Sequence, residues 1–124
     1  MIAVDTSTLS AFLAGEAGDD VQHLIEALRS GSVAFPPVVM TEILSEPHLG
    51  EALQRNLPEI QLLDIADGYW RRAGETRKLL KAKKLRAKVA DALIAQSCID
   101  HDIVLITRDS DFRHFAKYCG LKLT

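Results

Sequence analysis

The chain has 124 residues, 48% of them apolar and 26% charged, with a formal net charge of −2 and two cysteines. That length buries one core without a second domain, so a single domain over residues 1–124 is expected. No apolar run approaches the roughly 20 residues of a membrane span, and no basic segment leads into a long apolar one as in a signal peptide. A soluble, cytoplasmic protein without membrane contact is the expectation.

In chain order, Met1 to Val4 is a short apolar run rich in β-branched residues that stops at Asp5-Thr6-Ser7-Thr8. It reads as a strand followed by a helix start, with Ser7 or Thr6 as the cap, a helix through Leu13 and a stop at Gly15. Asp19 and Asp20 supply the next cap, before Val21, Leu24, Ile25 and Leu28 at helical spacing. Val33-Ala34-Phe35 reads as a second strand. Pro36-Pro37 leads into a helix from Val38 to Glu46, where Pro47 ends it and Glu42 lies in the second turn. A short helix around Leu49, Leu53 and Leu57 and a third strand at residues 60–65 follow.

A long helix from about Asp67 has Trp70, Ala73, Leu79, Leu80 and Leu85 as its inward positions, with a break expected near Lys83-Lys84. Residues 89–99 form the next helix, broadly apolar but with Asp91 in its first turn. Ile103 to Ile106 is an aliphatic run with no polar alternation, which describes a strand buried on both faces. Then come Thr107, Arg108, Asp109, Ser110 and Asp111, a helix to Tyr118, a stop at Gly120, and a last strand at residues 121–123. Strands alternating with helices predict an α/β/α sandwich around a parallel sheet of four to five strands.

Charge is unevenly placed. Between Arg71 and Lys88 nine cations face the single acid Glu75, while the rest of the chain is acidic. Such a stripe fits either a solvated helix face or a surface for a polyanion. Cys98 and Cys119 read as reduced, small hydrophobic residues. His23, His48, His101 and His114 show no spacing that argues for catalysis. A zinc site drawn from Cys98, His101, His114 and Cys119 would put its ligands on long helices instead of short paired loops.

The informative pattern is carboxylate. Parallel strands joined by right-handed crossovers bring their carboxyl ends to one edge, which places Asp5 near Asp109. Glu42 and Asp91, early in helices returning to that edge, would join them. Four like charges at close range raise one another's pKa values, and a hard divalent cation relieves them. Mg²⁺ or Mn²⁺ held by carboxylates suits phosphodiester hydrolysis, and Ser7 and Thr107 are placed to orient the ligating acids. No Gly-rich phosphate loop or serine nucleophile elbow competes with that reading.

The runs from Ile2 to Ser7, Val39 to Leu44, Asp91 to Ala95 and Leu105 to Phe112 together resemble the PIN-domain family, and within it the VapC-type ribonuclease toxins. The resemblance spans nearly the whole chain. It implies a Mg²⁺- or Mn²⁺-dependent endoribonuclease, often dimeric, restrained by a small antitoxin. It also carries the acidic positions onto Asp5, Glu42, Asp91 and Asp109, with Ser7 and Thr107 as polar supports. Asp109 is preferred over Asp111 for the fourth position because it is nearer the strand, and Asp111 is kept as a further ligand. RNA contacts are expected from the basic stripe between Arg71 and Lys88, with Arg77, Lys81 and Lys84 singled out, and from Arg108 and Arg113 near the crevice, with Tyr69 beside the stripe as a stacking candidate and Trp70 assigned to the core.

Two alternatives come from other classes. A PIN-like fold that binds RNA or protein without cutting would not need all four acids. A phosphohydrolase or receiver domain working through an aspartyl phosphate would want an Asp where Ser7 stands, or a Lys where Arg108 stands.

Overall fold

The computed structural model describes residues 1–124. Four parallel strands, β1 (Ile2–Val4), β2 (Val33–Ala34), β3 (Val104–Ile106) and β4 (Lys122–Leu123), form a sheet in the order β2-β1-β3-β4. Ile2 pairs with both Val33 and Val104, and Val4 pairs with Ile106. The two central strands therefore end level with each other. Seven helices flank the sheet in an α/β/α arrangement: α1 (Thr6–Leu13), α2 (Asp19–Arg29), α3 (Pro37–Leu44), α4 (Pro47–Asn56), α5 (Tyr69–Ala82), α6 (Val89–His101) and α7 (Phe112–Cys119). Helices α5, α6 and α7 pack on one another, and α1 gathers α2, α3 and α4 around it.

Central position explains composition. Ala3, Val4, Leu105 and Ile106 are wholly buried, as strands covered on both faces must be, and polar alternation is absent from them for that reason. The core continues through Leu9, Leu24, Ile43, Leu80, Ile94 and Phe115.

Three details differ from the sequence reading. The third expected strand contracts to a single bridge, Leu62 opposite Phe35, with Phe35 N donating to Gln61 O and Leu63 N to Phe35 O. Only Leu63 of that segment is buried, while Ile60, Leu62 and Ile65 remain exposed, so no face holds a longer strand in register. The cap of α1 is Asp5, not Ser7 or Thr6: its side chain accepts from Thr8 N at 3.0 Å. Helix α2 is capped by Gly18, and Asp19 and Asp20 fall inside its first turn.

The largest correction concerns α5. Tyr69, Ala73 and Leu80 are buried, whereas Trp70 is 66% and Leu79 41% exposed. Tyr69, Ala73, Thr76 and Leu80 are spaced by four, three and four residues, which is one face of a helix. Trp70 and Leu79 lie off that face. Tyr69 is therefore the core aromatic, its hydroxyl donating to Leu93 O at 2.7 Å. Arg72 ties the same two helices together by a fork onto Asp100, with Nε–Oδ1 at 3.0 Å and Nη2–Oδ2 at 2.6 Å. The break after α5 falls where expected, with Lys84 at φ 61°.

Truncating Leu80 to Ala should cost about 2–5 kcal/mol, while Leu79→Ala should stay within roughly 0.5 kcal/mol of the parent. Urea unfolding of the two variants checks the assignment; equal losses would mean that the buried face of α5 is wrongly placed.

Candidate metal centre

The junctions after β1 and β3 build the site. Because Val4 and Ile106 are paired, Asp5 and Thr107 leave the sheet side by side, and Asp5 N donates to Ile106 O at 3.1 Å. The Asp5 carboxylate is 2% exposed and fully engaged. Thr107 Oγ1 donates to its Oδ2 at 2.6 Å, Ser7 Oγ lies 2.9 and 2.8 Å from its two oxygens, and Thr8 N completes the set. Burial pushes the Asp5 carboxyl above its usual range, against the pull of these hydrogen bonds, and the charge of Asp109 adds to the rise. Thr107 works in both directions, since its Oγ1 also accepts from Asp109 N at 3.0 Å and so fixes the loop that follows.

That loop carries two acids. Asp109 Oδ1 accepts from Asp111 N at 2.9 Å, a local turn that folds the loop back onto the start of α7. Asp91, from the first turn of α6, meets them there. Carboxylate oxygens of Asp91, Asp109 and Asp111 lie within 4.8 Å of one another, the one cluster of potential metal ligands in the molecule. Asp91 Oδ2 is buried and accepts no hydrogen bond. Burial first, and then the neighbouring charge of Asp109, pushes the Asp91 carboxyl up to about 6. A buried anionic oxygen with no donor, among two further carboxylates, is the donor set a hard divalent cation takes.

The expected residues are thus distributed over two adjoining groups. Asp91, Asp109 and Asp111 are brought together, including both acids of the β3 loop. Asp5 borders them, close enough for its charge to act on Asp91. Glu42, from α3, is outside the trio and accepts from Thr6 Oγ1 at 2.5 Å, next to Asp5 in the chain.

Several of the expected RNA-contacting cations are otherwise engaged. Arg108 forks onto Asp20, with Nε–Oδ2 at 2.8 Å and Nη2–Oδ1 at 3.1 Å, and holds the Asp20 carboxyl below its usual range. Arg77 donates to Ala87 O at 2.8 Å, and Arg113 to Ser110 O at 3.3 Å. Lys81 and Lys84 are exposed. Within the basic stripe but not among the residues singled out from it is Arg86, whose Nε stands 3.5 Å from Asp111 Oδ2. Its position five residues before Asp91 was the available signal.

The other candidates are quiet. Cys98 is buried, which pushes its thiol up to about 12, and neither it nor Cys119 is in a disulfide. His101 Nε2 sits 2.8 Å from Asp64 O, a backbone contact.

The Asp91 shift sets a sign for stability. The native carboxyl titrates near 6 and an unfolded Asp near 3.9, so the folded chain binds the extra proton between those values and metal-free stability falls as pH rises through that window. With chelator present, Asp91→Asn should therefore be more stable than the parent by roughly 1–3 kcal/mol at pH 7 and nearly equal to it at pH 4. Denaturant titrations at both pH values measure this; a pH-independent difference would remove Asp91 from the cluster.

Comparison with known proteins agrees with this architecture. The model of the family described as PIN domain matches residues 2–118. Three solved structures are similar in fold. VapBC2 from Rickettsia felis, bound to a DNA fragment from their promoter, aligns with TM-score 0.79 and 21% identity over 100% of this chain and 98% of that one. FitAcB from Neisseria gonorrhoeae aligns with TM-score 0.71 and 19% identity over 99% and 96%. VapBC-5 from Mycobacterium tuberculosis, a member of the VapBC family of toxin-antitoxin systems, aligns with TM-score 0.70 and 21% identity over 98% and 95%. No curated protein sequence matches the chain. With the family model matched across nearly its whole length, the protein belongs to the PIN domain family.

Proposed function

We propose that the protein is a Mg²⁺- or Mn²⁺-dependent endoribonuclease, the toxin component of a toxin–antitoxin pair, acting in the cytoplasm as one domain. The observation that carries the reading is the donorless Asp91 oxygen within the trio Asp91, Asp109 and Asp111. Asp91, Asp109 and Asp111 would hold the cation, which when bound would supply Lewis acidity toward a phosphoryl oxygen and a lowered pKa for a water.

The chain's own residues do the rest. Ser7, Thr107 and the Thr8 amide hold Asp5 in one orientation, so a fixed negative charge borders the trio without rotating into it. Glu42 spends Oε1 on Thr6, which leaves Oε2 to accept from a water at the same edge. The cluster lies on a partly exposed rim. A cavity of about 700 Å³, lined by Phe12, Ile25, Leu28 and Leu57 among others, is elsewhere. An open rim suits a polymer backbone better than a small molecule, which prefers an enclosing pocket.

Partners follow from the family and the neighbours. An antitoxin that occupies the groove of the acid cluster is supported by the VapBC complexes that share the fold. A homodimer is the assembly proposed, by analogy with the family. RNA is the proposed substrate.

Labelled total RNA incubated with the purified protein should be cut with Mg²⁺ or Mn²⁺ and left intact with chelator. Asp91→Asn, Asp5→Asn and Glu42→Gln should reduce cutting to background, and Thr107→Val should slow it about 10- to 100-fold by releasing Asp5. Cleavage by Asp91→Asn at the parent rate would refute the metal-site assignment. A folded parent that binds RNA yet never cuts it would favour the silent binding module.

A further inference from the structure

The nine cations between Arg71 and Lys88 do not share one task. Arg72 is committed to Asp100 and Asp67 O, and Lys83 sits over the Tyr118 ring at 4.6 Å. Arg77 reaches from α5 to the carbonyl of Ala87 and clamps the segment that joins α5 to α6. Lys84 in the left-handed region and Leu85 N donating to Leu80 O fix the other end of that segment. Between these anchors the chain alternates: Leu85 packs on the core and Ala87 is buried, while Arg86 and Lys88 are exposed. In extended backbone such alternation puts residues 86 and 88 on one side.

That side faces the acids. Arg86 is 66% exposed at the side chain, and its single ionic contact is Nε to Asp111 Oδ2 at 3.5 Å. A contact of that length, at that exposure, holds the guanidinium near the trio without consuming its donors. The two Nη groups have no partner among the hydrogen bonds or ion pairs. An arginine fork with its outer edge free matches phosphate in a way that a lysine does not. Arg108 cannot substitute, since Asp20 holds its Nε and Nη2, and Arg77 spends its Nε on the Ala87 carbonyl at the far side of the clamped segment.

We propose that Arg86, presented at the rim of the Asp91–Asp109–Asp111 cluster by the Arg77-clamped segment, grips a backbone phosphate of the RNA chain and sets its register on the site. The inference rests on the ribonuclease reading and assigns the phosphate contact to one particular residue of the basic stripe. Its counterpart is that Lys81 and Lys84, exposed and without an ionic contact to the acids, add only diffuse attraction.

Binding of a short fluorescent single-stranded RNA to full-length protein in the Asp91→Asn background, followed against salt, tests this without cleavage. Arg86→Gln should weaken binding about tenfold and lower the slope of log affinity against log salt by about 0.7, one phosphate contact. Arg86→Lys should recover the slope but only part of the affinity. In the Asp91-containing protein, Mn²⁺ titrated calorimetrically should bind Arg86→Gln at least as tightly as the parent, since a competing cation is gone. Unchanged RNA affinity and slope in Arg86→Gln, with the parent binding RNA, would overturn the assignment alone. Weaker Mn²⁺ binding with unchanged RNA affinity would make Arg86 a support for the acids and also overturn it. A parent that neither binds nor cuts RNA would overturn the ribonuclease reading and this inference together.

Discussion

Repulsion among Asp91, Asp109 and Asp111 is the constraint on which the arrangement of the site turns. Three carboxylates within 4.8 Å raise the free energy of the chain that holds them, and one of their oxygens is buried without a donor. The backbone nevertheless enforces the encounter. Register places Asp5 beside Thr107, Thr107 fixes Asp109, and Asp109 fixes Asp111. Each link is a single hydrogen bond, about 1 kcal/mol between neutral groups and about 1.5–3 kcal/mol onto the Asp5 and Asp109 carboxylates. The α6 start brings Asp91 in on a helix whose inner face is packed through Ile94, Ala95 and Cys98. Such repulsion persists because the packed surroundings over-determine it, and a bound cation would relieve it.

The two acid groups are treated differently by the fold. Asp5 is deeply buried yet has donors for both oxygens, so the cost of its burial is offset in part. Asp91 is also nearly buried but has none for Oδ2. A carboxylate with satisfied oxygens shapes its surroundings; one with an unsatisfied oxygen is ready to bind. The structure of the chain separates these two tasks although the residues are chemically alike.

Much of this was legible in the amino-acid order. The aliphatic runs at residues 2–4 and 103–106, each followed by polar residues, identify central strands and the edge where chemistry collects. What escaped is governed by orientation and by partners distant in the chain. Tyr69 and Trp70 are adjacent, and either can begin an apolar stripe. Only the positions of Ala73, Thr76 and Leu80, together with the Leu93 carbonyl that receives the Tyr69 hydroxyl, select the first. The third strand failed because hydrogen bonding of residues 60–65 depends on a neighbour that offers just Phe35. Asp20 was read as a cap, and its engagement with Arg108, 88 residues away, has no local signature.

The basic stripe shows how far charge counting can go. Its composition suggests a polyanion surface, but each cation's fate is decided by which acceptor lies within reach of its side chain. Arg72, with Asp100 opposite, joins α5 to α6. Arg77, facing a backbone carbonyl, shapes a connection. A guanidinium spends its donors wherever acceptors surround it, and its Nη edge remains available only where the nearest acceptor engages Nε alone and solvent is close. Arg86 meets both conditions and stands beside the one acid cluster. Availability, not charge, is therefore the property that separates a phosphate contact from a structural arginine in this stripe.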